Sequence, residues 1–275
     1  MPAMYAHYIL GQDALPLMDV RAKRVIEAHH QMFNVGLQGP DFYFFDQMEY
    51  LRGKSFAKIG RKLHNEPCEN LLKYLQANGG SRFDGESLAY ILGLIGHFSL
   101  DSTCHPYIDH WAKTLPYDHM RMETEFDRFL LERDGYHPRR FPLGNCVAAD
   151  QRARMKIGAL YDGYGTAKEV ACLIKEYAMI KNMIRTPVNV QYFFYQGVLS
   201  IVQIRRYIGG VFMGPKDQLS TITNPRLLML FEEAKKLYIR LVANYLEYYL
   251  HDAPLDVYFK RDFEVLPCGE VLDEQ

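Results

Sequence analysis

The chain has 275 residues, 48% hydrophobic and 24% charged, so it is long enough to bury a substantial core. Its 32 basic and 33 acidic residues are mixed along the sequence and give a formal net charge of −1, which does not favour binding to long nucleic acids. The five cysteines are odd in number and include no CxxC pair, which argues against a disulfide framework and against a thiolate zinc finger.

The N-terminal residues show neither the basic start nor the long apolar core of a secretory signal. No apolar run reaches the roughly 18 residues that a membrane span needs. The longest candidate, 190–204, is interrupted by three glutamines. We therefore expect a cytoplasmic protein without a transmembrane segment.

Helix-period apolar patterns dominate the sequence and alternating strand patterns are scarce, which predicts an all-α fold. Pro106 is expected to end the helix that precedes it, because proline lacks a backbone N–H and restricts the residue before it. The predicted helices cover 13–34, 55–77, 84–105, 119–133, 150–184, 188–211 and 225–251.

Two glycines and one proline within 36–41 predict a turn that presents Asp41. The aromatic run at 42–45 follows the turn, and we interpret it as a buried helical start or a loop because no partner strand is evident. These aromatic residues are candidates for lining a pocket, although a place in the core is the more ordinary role for them.

The strongest local signal lies in 96–106, which carries His97, Asp101 and His105 at successive intervals of four. Residues at this spacing share one helix face. With a rise of about 1.5 Å per residue, neighbours stand about 6 Å apart and the outer two about 12 Å apart, too far to share one ion. A carboxylate has two oxygens that can face different cations, whereas an imidazole offers one nitrogen. The spacing therefore suits a cluster of metal ions better than a lone site.

The ten histidines are distributed unevenly, because nine lie at or before His137 and only His251 lies beyond it. This asymmetry points to a site in the first half of the chain. A metal centre needs imidazoles and carboxylates that converge from several elements. The candidates are His7, Asp41, His64, His97, Asp101, His105, His119 and Glu123.

Structural roles are the alternative for the more isolated candidates. A lone helical histidine such as His64 is commonly a core residue with a satisfied hydrogen bond. His119 and Glu123, four residues apart, could equally form a surface hydrogen bond. Cys104 lies off the histidine face and is expected to pack.

Together, the order, residue types and spacings resemble the zinc-dependent phospholipase C family, which is structurally related to the single-strand-specific zinc nucleases. The resemblance covers about the first 130 residues, and the second half carries no motif that we can match. It implies a multi-helix bundle of that type. The residues that carry the resemblance are His7, Gly39-Pro40-Asp41, His64, His97-xxx-Asp101-xxx-His105-Pro106 and His119-xxx-Glu123.

The resemblance also implies a ligand set for two or three zinc ions. The family's N-terminal residue is a processed tryptophan that binds metal, whereas the only tryptophan here is Trp111. Because methionine before proline is usually removed, Pro2 is our candidate for the N-terminal ligand; the alternative is that His7 packs and only two ions bind. The implied sets are Asp41, His64, His97 and one oxygen of Asp101; then His105, His119 and Glu123; then the other oxygen of Asp101 with His7 and the N-terminus.

We therefore expect a zinc-dependent hydrolase of phosphoric esters, phospholipase C-like, that uses a metal-activated water. Asp41, expected at the rim of the site, is the candidate to orient or deprotonate that water. The expected substrate is a small phosphoester or a phospholipid head group. The alternatives are a nuclease, nucleotidase or phosphomonoesterase on the same site, and a catalytically idle, metal-stabilised binding protein.

One all-helical domain over 1–275 is expected, with a metal-binding half at 1–133 and a helical packing half at 150–251. The loop at 134–149, which contains two glycines and two prolines, is the only plausible internal boundary. The oligomeric state stays open at this level.

Overall fold

Residues 4–46, 55–114, 118–183, 185–188, 190, 191, 193, 194, 213, 214 and 216–263 are described by a computed structural model. Every regular element within these residues is helical, which confirms the all-α prediction. The α-helices are α1 Met4–Ala14, α2 Val20–Ala28, α3 His30–Gly36, α4 Phe56–His64, α5 Cys68–Gly79, α6 Gly85–Thr114, α7 His119–Arg133, α8 Gln151–Leu160, α9 Ala167–Met183 and α10 Ser220–His251. Short 3₁₀ segments lie at Leu15–Leu17, Asp41–Phe45, Gly80–Arg82, Leu143–Val147 and Val257–Lys260. Among the described helices, none is long and apolar enough to span a bilayer.

Three long predicted helices are broken in the structure. The region 13–34 divides into the end of α1, a 3₁₀ turn, α2 and α3. The region 55–77 divides between α4 and α5, where Pro67 takes an extended conformation. The region 150–184 divides between α8 and α9, where Gly163 and Gly165 have φ values of +93° and +151° that favour glycine.

Three of the remaining helix predictions have different outcomes. The helix at 119–133 is confirmed as α7, while α10 begins at Ser220, before the expected residue 225. The first predicted helix begins at residue 13, so most of α1, which begins at Met4, was not predicted. Most of the predicted helix at 188–211 lies outside the described residues.

Helix α6 continues through Pro106 to Thr114, so the predicted end at His105 is wrong. An interior proline costs about 3 kcal/mol in a helix. The turns after it bury Ile108, and Tyr107 and Trp111 pack against the core. Since each fully buried large apolar side chain contributes about 1.5–3 kcal/mol, this packing offsets the proline. The helix therefore extends nine residues beyond His105, a stretch that includes Asp109.

At the centre of the fold lies α6, in which every residue from Ser87 to Ser102 is buried. A helix that is apolar on all sides belongs inside a protein, and α6 contacts α1, α2, α3, α7 and α10. Among the described helices α3 packs very closely against it, because a Cβ on Gly93 would stand 2.2 Å from the Phe33 carbonyl oxygen. This contact holds the turn that follows α3, and with it Asp41, against the middle of α6.

Candidate metal centre

The three α6 candidates share one buried face, as their spacing predicts. His97, Asp101 and His105 are each at most 3% exposed. The Nε2 atom of His97 lies 3.1 Å from Asp101 Oδ2, and the Nε2 atom of His105 lies 3.4 Å from Asp101 Oδ1. The two oxygens of Asp101 therefore face different histidines, one on each side along the helix.

Upstream of Asp101, two further candidates converge on His97. The Oδ1 atom of Asp41 lies 3.2 Å from His64 Nε2 and 3.6 Å from His97 Nε2. The two Nε2 atoms are 3.4 Å apart. His64 Nδ1 lies 2.8 Å from the Gly60 carbonyl oxygen, so Nδ1 carries the proton and the Nε2 lone pair faces Asp41.

Asp41 reaches this position because of the glycine two residues before it. Gly39 has a φ of +51°, and a Cβ there would stand 2.2 Å from the Cδ2 atom of His97. Asp41 is only 2% exposed, so the expectation that it stands at the rim is wrong. The following aromatic run is divided, since Phe42 and Tyr43 are buried while Phe44 and Phe45 are partly exposed.

Downstream of Asp101, His105 meets the first turns of α7. Glu123 Oε1 lies 3.3 Å from His105 Nε2 and 3.3 Å from His119 Nε2. His119 is the most exposed of the eight candidates, and the other seven are at most 4% exposed. Two helices thus bring one carboxylate and two imidazoles to one point.

Asp109 belongs to this group although the sequence reasoning missed it. Its Oδ1 atom lies 2.6 Å from His119 Nδ1 and accepts that proton, which leaves Nε2 free to act as a ligand. A signal was present, because Asp109 continues the interval of four through His97, Asp101 and His105. The expected helix end at Pro106 concealed it.

His7 approaches Asp101 from α1. Its Nε2 atom lies 3.3 Å from Asp101 Oδ1, and its ring centroid lies 4.3 Å from that of His97. His7 is 3% exposed. Pro2, the candidate N-terminal ligand, lies outside the described residues.

The donor atoms fit a divalent metal. Asp41 Oδ1 and Asp101 Oδ2 are buried and accept no hydrogen bond from the part of the chain described, although a histidine Nε2 lies within 3.2 Å of each. Such contacts are expected when donor atoms point at a shared cation rather than at each other, and imidazole with carboxylate is a zinc donor set. The groups whose ligand atoms lie within 4.8 Å of one another are His7, His97 and Asp101; Asp41, His64 and His97; and His105, His119 and Glu123.

Burial and charge act in opposite directions on the cluster. Burial raises the pKa of Asp101, but the neighbouring His97, His105 and His7 outweigh it and hold that pKa well below its usual range. Burial also raises the pKa of Glu123, but the charges around it, including His119 and His105, outweigh burial and hold that pKa well below its usual range. Both carboxylates are therefore ionised in the fold and suited to hold cations.

The histidines respond differently according to their carboxylate neighbours. Burial lowers the pKa of His97. Burial would also lower the pKa of His7 and His105, but Asp101 outweighs it in both cases and raises their pKa. Against burial, Glu123 and Asp109 raise the pKa of His119 to about 10. The neighbouring carboxylates thus favour the protonated forms of His7, His105 and His119, but not of His97.

Comparison with known families gives one match. A family model described as zinc dependent phospholipase C matches residues 6–195, a range that includes all eight candidate residues and extends beyond the first 130. Searches of curated proteins and of solved structures found no match.

Proposed function

Because this chain belongs to the zinc-dependent phospholipase C family, we propose that it is a zinc-dependent hydrolase of phosphoric esters. The proposed substrate is a small phosphoester or a phospholipid head group. The observation that carries the proposal is Asp101, a buried ionised carboxylate whose two oxygens lie 3.1–3.4 Å from three different histidines.

One ligand assignment follows from the number of lone pairs on each residue. A histidine Nε2 has one lone pair and serves one ion. His97 Nε2 lies 3.4 Å from His64 Nε2 and 3.6 Å from Asp41 Oδ1, so we assign it to the ion with His64 and not to that with His7. Asp101 serves two ions through its two oxygens. The proposed sets are Asp41, His64, His97 and Asp101 Oδ2; His105, His119 and Glu123; and His7 with Asp101 Oδ1.

The third set offers two donors within the described residues, fewer than a zinc ion takes. A further ligand from the chain's N-terminus, Pro2 after removal of Met1, is the proposed completion. Without it, two zinc ions bind and His7 has a packing role. Mass spectrometry of the native protein decides between them, because retained Met1 together with three zinc ions per chain would contradict the Pro2 assignment.

Bound zinc ions supply two effects, a lowered pKa for water and stabilisation of charge on the attacking and leaving oxygens. The chain's own residues would hold the ions apart, orient the attacking water and accept its proton. Asp41 is the proposed group that orients the attacking water or takes its proton. Phe263 shields the inner side of the cluster, with its ring centroid 5.2 Å from that of His64 and 5.8 Å from that of His97.

Replacing Asp41 tests the proposal. Asp41→Asn keeps the shape of the side chain but removes its charge and its ability to accept a proton. We expect turnover of a chromogenic phosphodiester or a phosphorylcholine ester by the zinc-loaded protein to fall by roughly 100-fold or more. Glu132→Gln, a change at an exposed carboxylate of α7, is the matched control and should retain activity.

A substrate panel completes the test. The zinc-loaded wild-type protein is offered phosphomonoesters, phosphodiesters, phospholipids and single-stranded nucleic acid. Turnover confined to nucleic acid or to phosphomonoesters would redirect the substrate assignment to a nuclease or a phosphomonoesterase. Full zinc loading without turnover of any member would overturn the hydrolase and favour a metal-stabilised binding protein.

A further inference from the structure

The first amide groups of α1 are held by a carboxylate from a distant helix. Tyr5 donates its backbone N–H to Asp127 Oδ2 at 3.0 Å, and Ala6 donates its backbone N–H to Asp127 Oδ1 at 2.7 Å. The first four N–H groups of a helix have no partner inside the helix, so a carboxylate here acts as a cap. Asp127 is 1% exposed, and such charge-assisted bonds are stronger when buried.

This cap connects two parts of the metal centre. Asp127 lies four residues after Glu123, so α7 presents both carboxylates on one face. His7 directly follows Ala6, and its Nε2 atom lies 3.3 Å from Asp101 Oδ1. A shift of α1 along its axis would therefore move His7 relative to both Asp101 and Glu123.

Other contacts of the α1 start do not replace Asp127. Tyr5 donates its hydroxyl to Asp134 Oδ2 at 2.7 Å, and Gln38 Nε2 donates to the Met4 carbonyl at 3.1 Å. The first joins the tip of a side chain that can rotate, and the second holds one carbonyl. Among these contacts of described residues, only Asp127 takes two successive amide groups, which fixes both the position and the rotation of the first turn.

We propose that Asp127 is a positioning residue that holds His7 in register with Asp101 for binding a metal ion. The inference rests on the proposed function, because it gives His7 a metal to bind. A cap that only stabilised the fold would affect all metal sites alike. A positioning residue affects the His7-dependent ion selectively.

Cobalt(II) provides the readout, because its visible absorption reports the ligands around each ion. His7→Ala defines the His7-dependent part of the spectrum, and His119→Ala defines the part that depends on α7. We expect Asp127→Asn to lose the first part and keep the second, with the same decrease in bound cobalt as His7→Ala. Asparagine retains the shape, but its amide nitrogen cannot accept from a backbone N–H. The double variant should lose no more than His7→Ala alone.

Two further variants make the result specific. Glu132→Gln removes an exposed negative charge from the same helix and should leave the spectrum unchanged. Asp127→Glu keeps the charge but displaces the carboxylate by one methylene, and we expect it to lose the His7-dependent part as well. This variant takes the place of Asp127→Asn if the latter does not fold.

Contrary outcomes are clear. Retention of the His7-dependent spectrum in a folded Asp127 variant, or proportional loss of every part of the spectrum, would overturn the positioning role. Wild-type protein without any His7-dependent component would also overturn it, while leaving a two-ion hydrolase intact. Normal cobalt spectra without turnover of any phosphoester would instead remove the proposed function and leave the Asp127 result standing.

Hydrogen exchange in the unaltered protein tests the same link without a variant. Removal of metal by a chelator should increase exchange at the Tyr5 and Ala6 amides, because coupling between two sites is reciprocal. Amides in the middle of α10, which does not carry a candidate ligand, are the reference. Equal responses in α1 and α10 would contradict the proposal.

Discussion

Five histidines face the cluster through the same ring atom, Nε2, and two of them have a second contact that fixes this orientation. His64 Nδ1 donates to the Gly60 carbonyl within its own helix, whereas His119 Nδ1 donates to Asp109 across two helices. Such contacts hold the tautomer that a metal needs and orient the ring. At the scale of residues, the site therefore includes groups that touch no metal.

Asp109→Asn tests the contribution of a residue that orients a metal ligand without touching the metal. Asparagine is neutral, so it accepts a weaker hydrogen bond from His119 Nδ1 than the aspartate does. We therefore expect the zinc affinity of the His105, His119 and Glu123 group to fall about 10–100-fold. The measurement is competitive titration against a chromophoric chelator. Glu132→Gln serves as the charge control. An affinity equal to that of wild type would show that His119 is oriented without Asp109.

The raised pKa of His119 predicts a pH dependence for the metal-free protein. Its folded pKa of about 10 lies above its ordinary value of 6.5, so the protonated form stabilises the fold. This contribution is fully present below about pH 6.5 and is lost as the pH rises through about 10. Urea unfolding of chelated protein over this range should therefore show decreasing stability. His119→Ala should show a smaller decrease; an equal decrease would contradict the assignment.

At the scale of elements, close backbone contacts set the distances between donors on different helices. A Cβ on Gly36 would stand 2.2 Å from the Tyr90 carbonyl oxygen, which complements the contact of Gly93 with Phe33. The turn after α3 then places Gly39 directly against the His97 ring. The α3–α6 pair thus delivers Asp41 to His97 because small residues occupy the interface.

Gly39→Ala and Gly80→Ala form a matched pair. Both residues have positive φ, +51° and +47°, a backbone conformation that side chains rarely adopt, so each substitution is expected to destabilise the fold. Only at Gly39 would the new Cβ meet the His97 ring, since nothing lies within 4 Å at Gly80. We expect Gly39→Ala to lose zinc at the Asp41, His64 and His97 group. Zinc analysis with thermal unfolding checks this, and equal zinc content in both variants would refute it.

For the whole molecule, the metal centre lies inside a core that extends well beyond it. The buried apolar residues run from α1 through α6 to α10 and to Phe263. Helix α10, in the predicted packing half, contacts α6 and α7 in the predicted metal-binding half. The description of 1–275 as one domain stays a prediction.

Metal removal should therefore weaken the protein without dispersing its helices. Chelation leaves Asp41, Asp101 and Glu123 buried without the cations that offset their charge, while the apolar core is unchanged. We expect the melting temperature to fall and the far-ultraviolet circular dichroism at 25 °C to remain helical. Readdition of zinc should restore the melting temperature. Loss of helical signal on chelation would show that folding depends on the metal.

The sequence by itself determined the helical class and the α6 face, because both depend on local periodicity: residues four apart on a helix are neighbours whatever surrounds them. The metal-binding roles of the other candidate ligands were predicted from the resemblance to the zinc-dependent phospholipase C family. Tertiary structure decided where helices break, since packing of Ile108, Tyr107 and Trp111 outweighs Pro106 and extends α6 to Asp109. It also decided that Asp41 is buried and that Asp127 meets Ala6 from 121 residues away. Contacts between distant segments have no periodic signal in one sequence, so only the folded chain shows them.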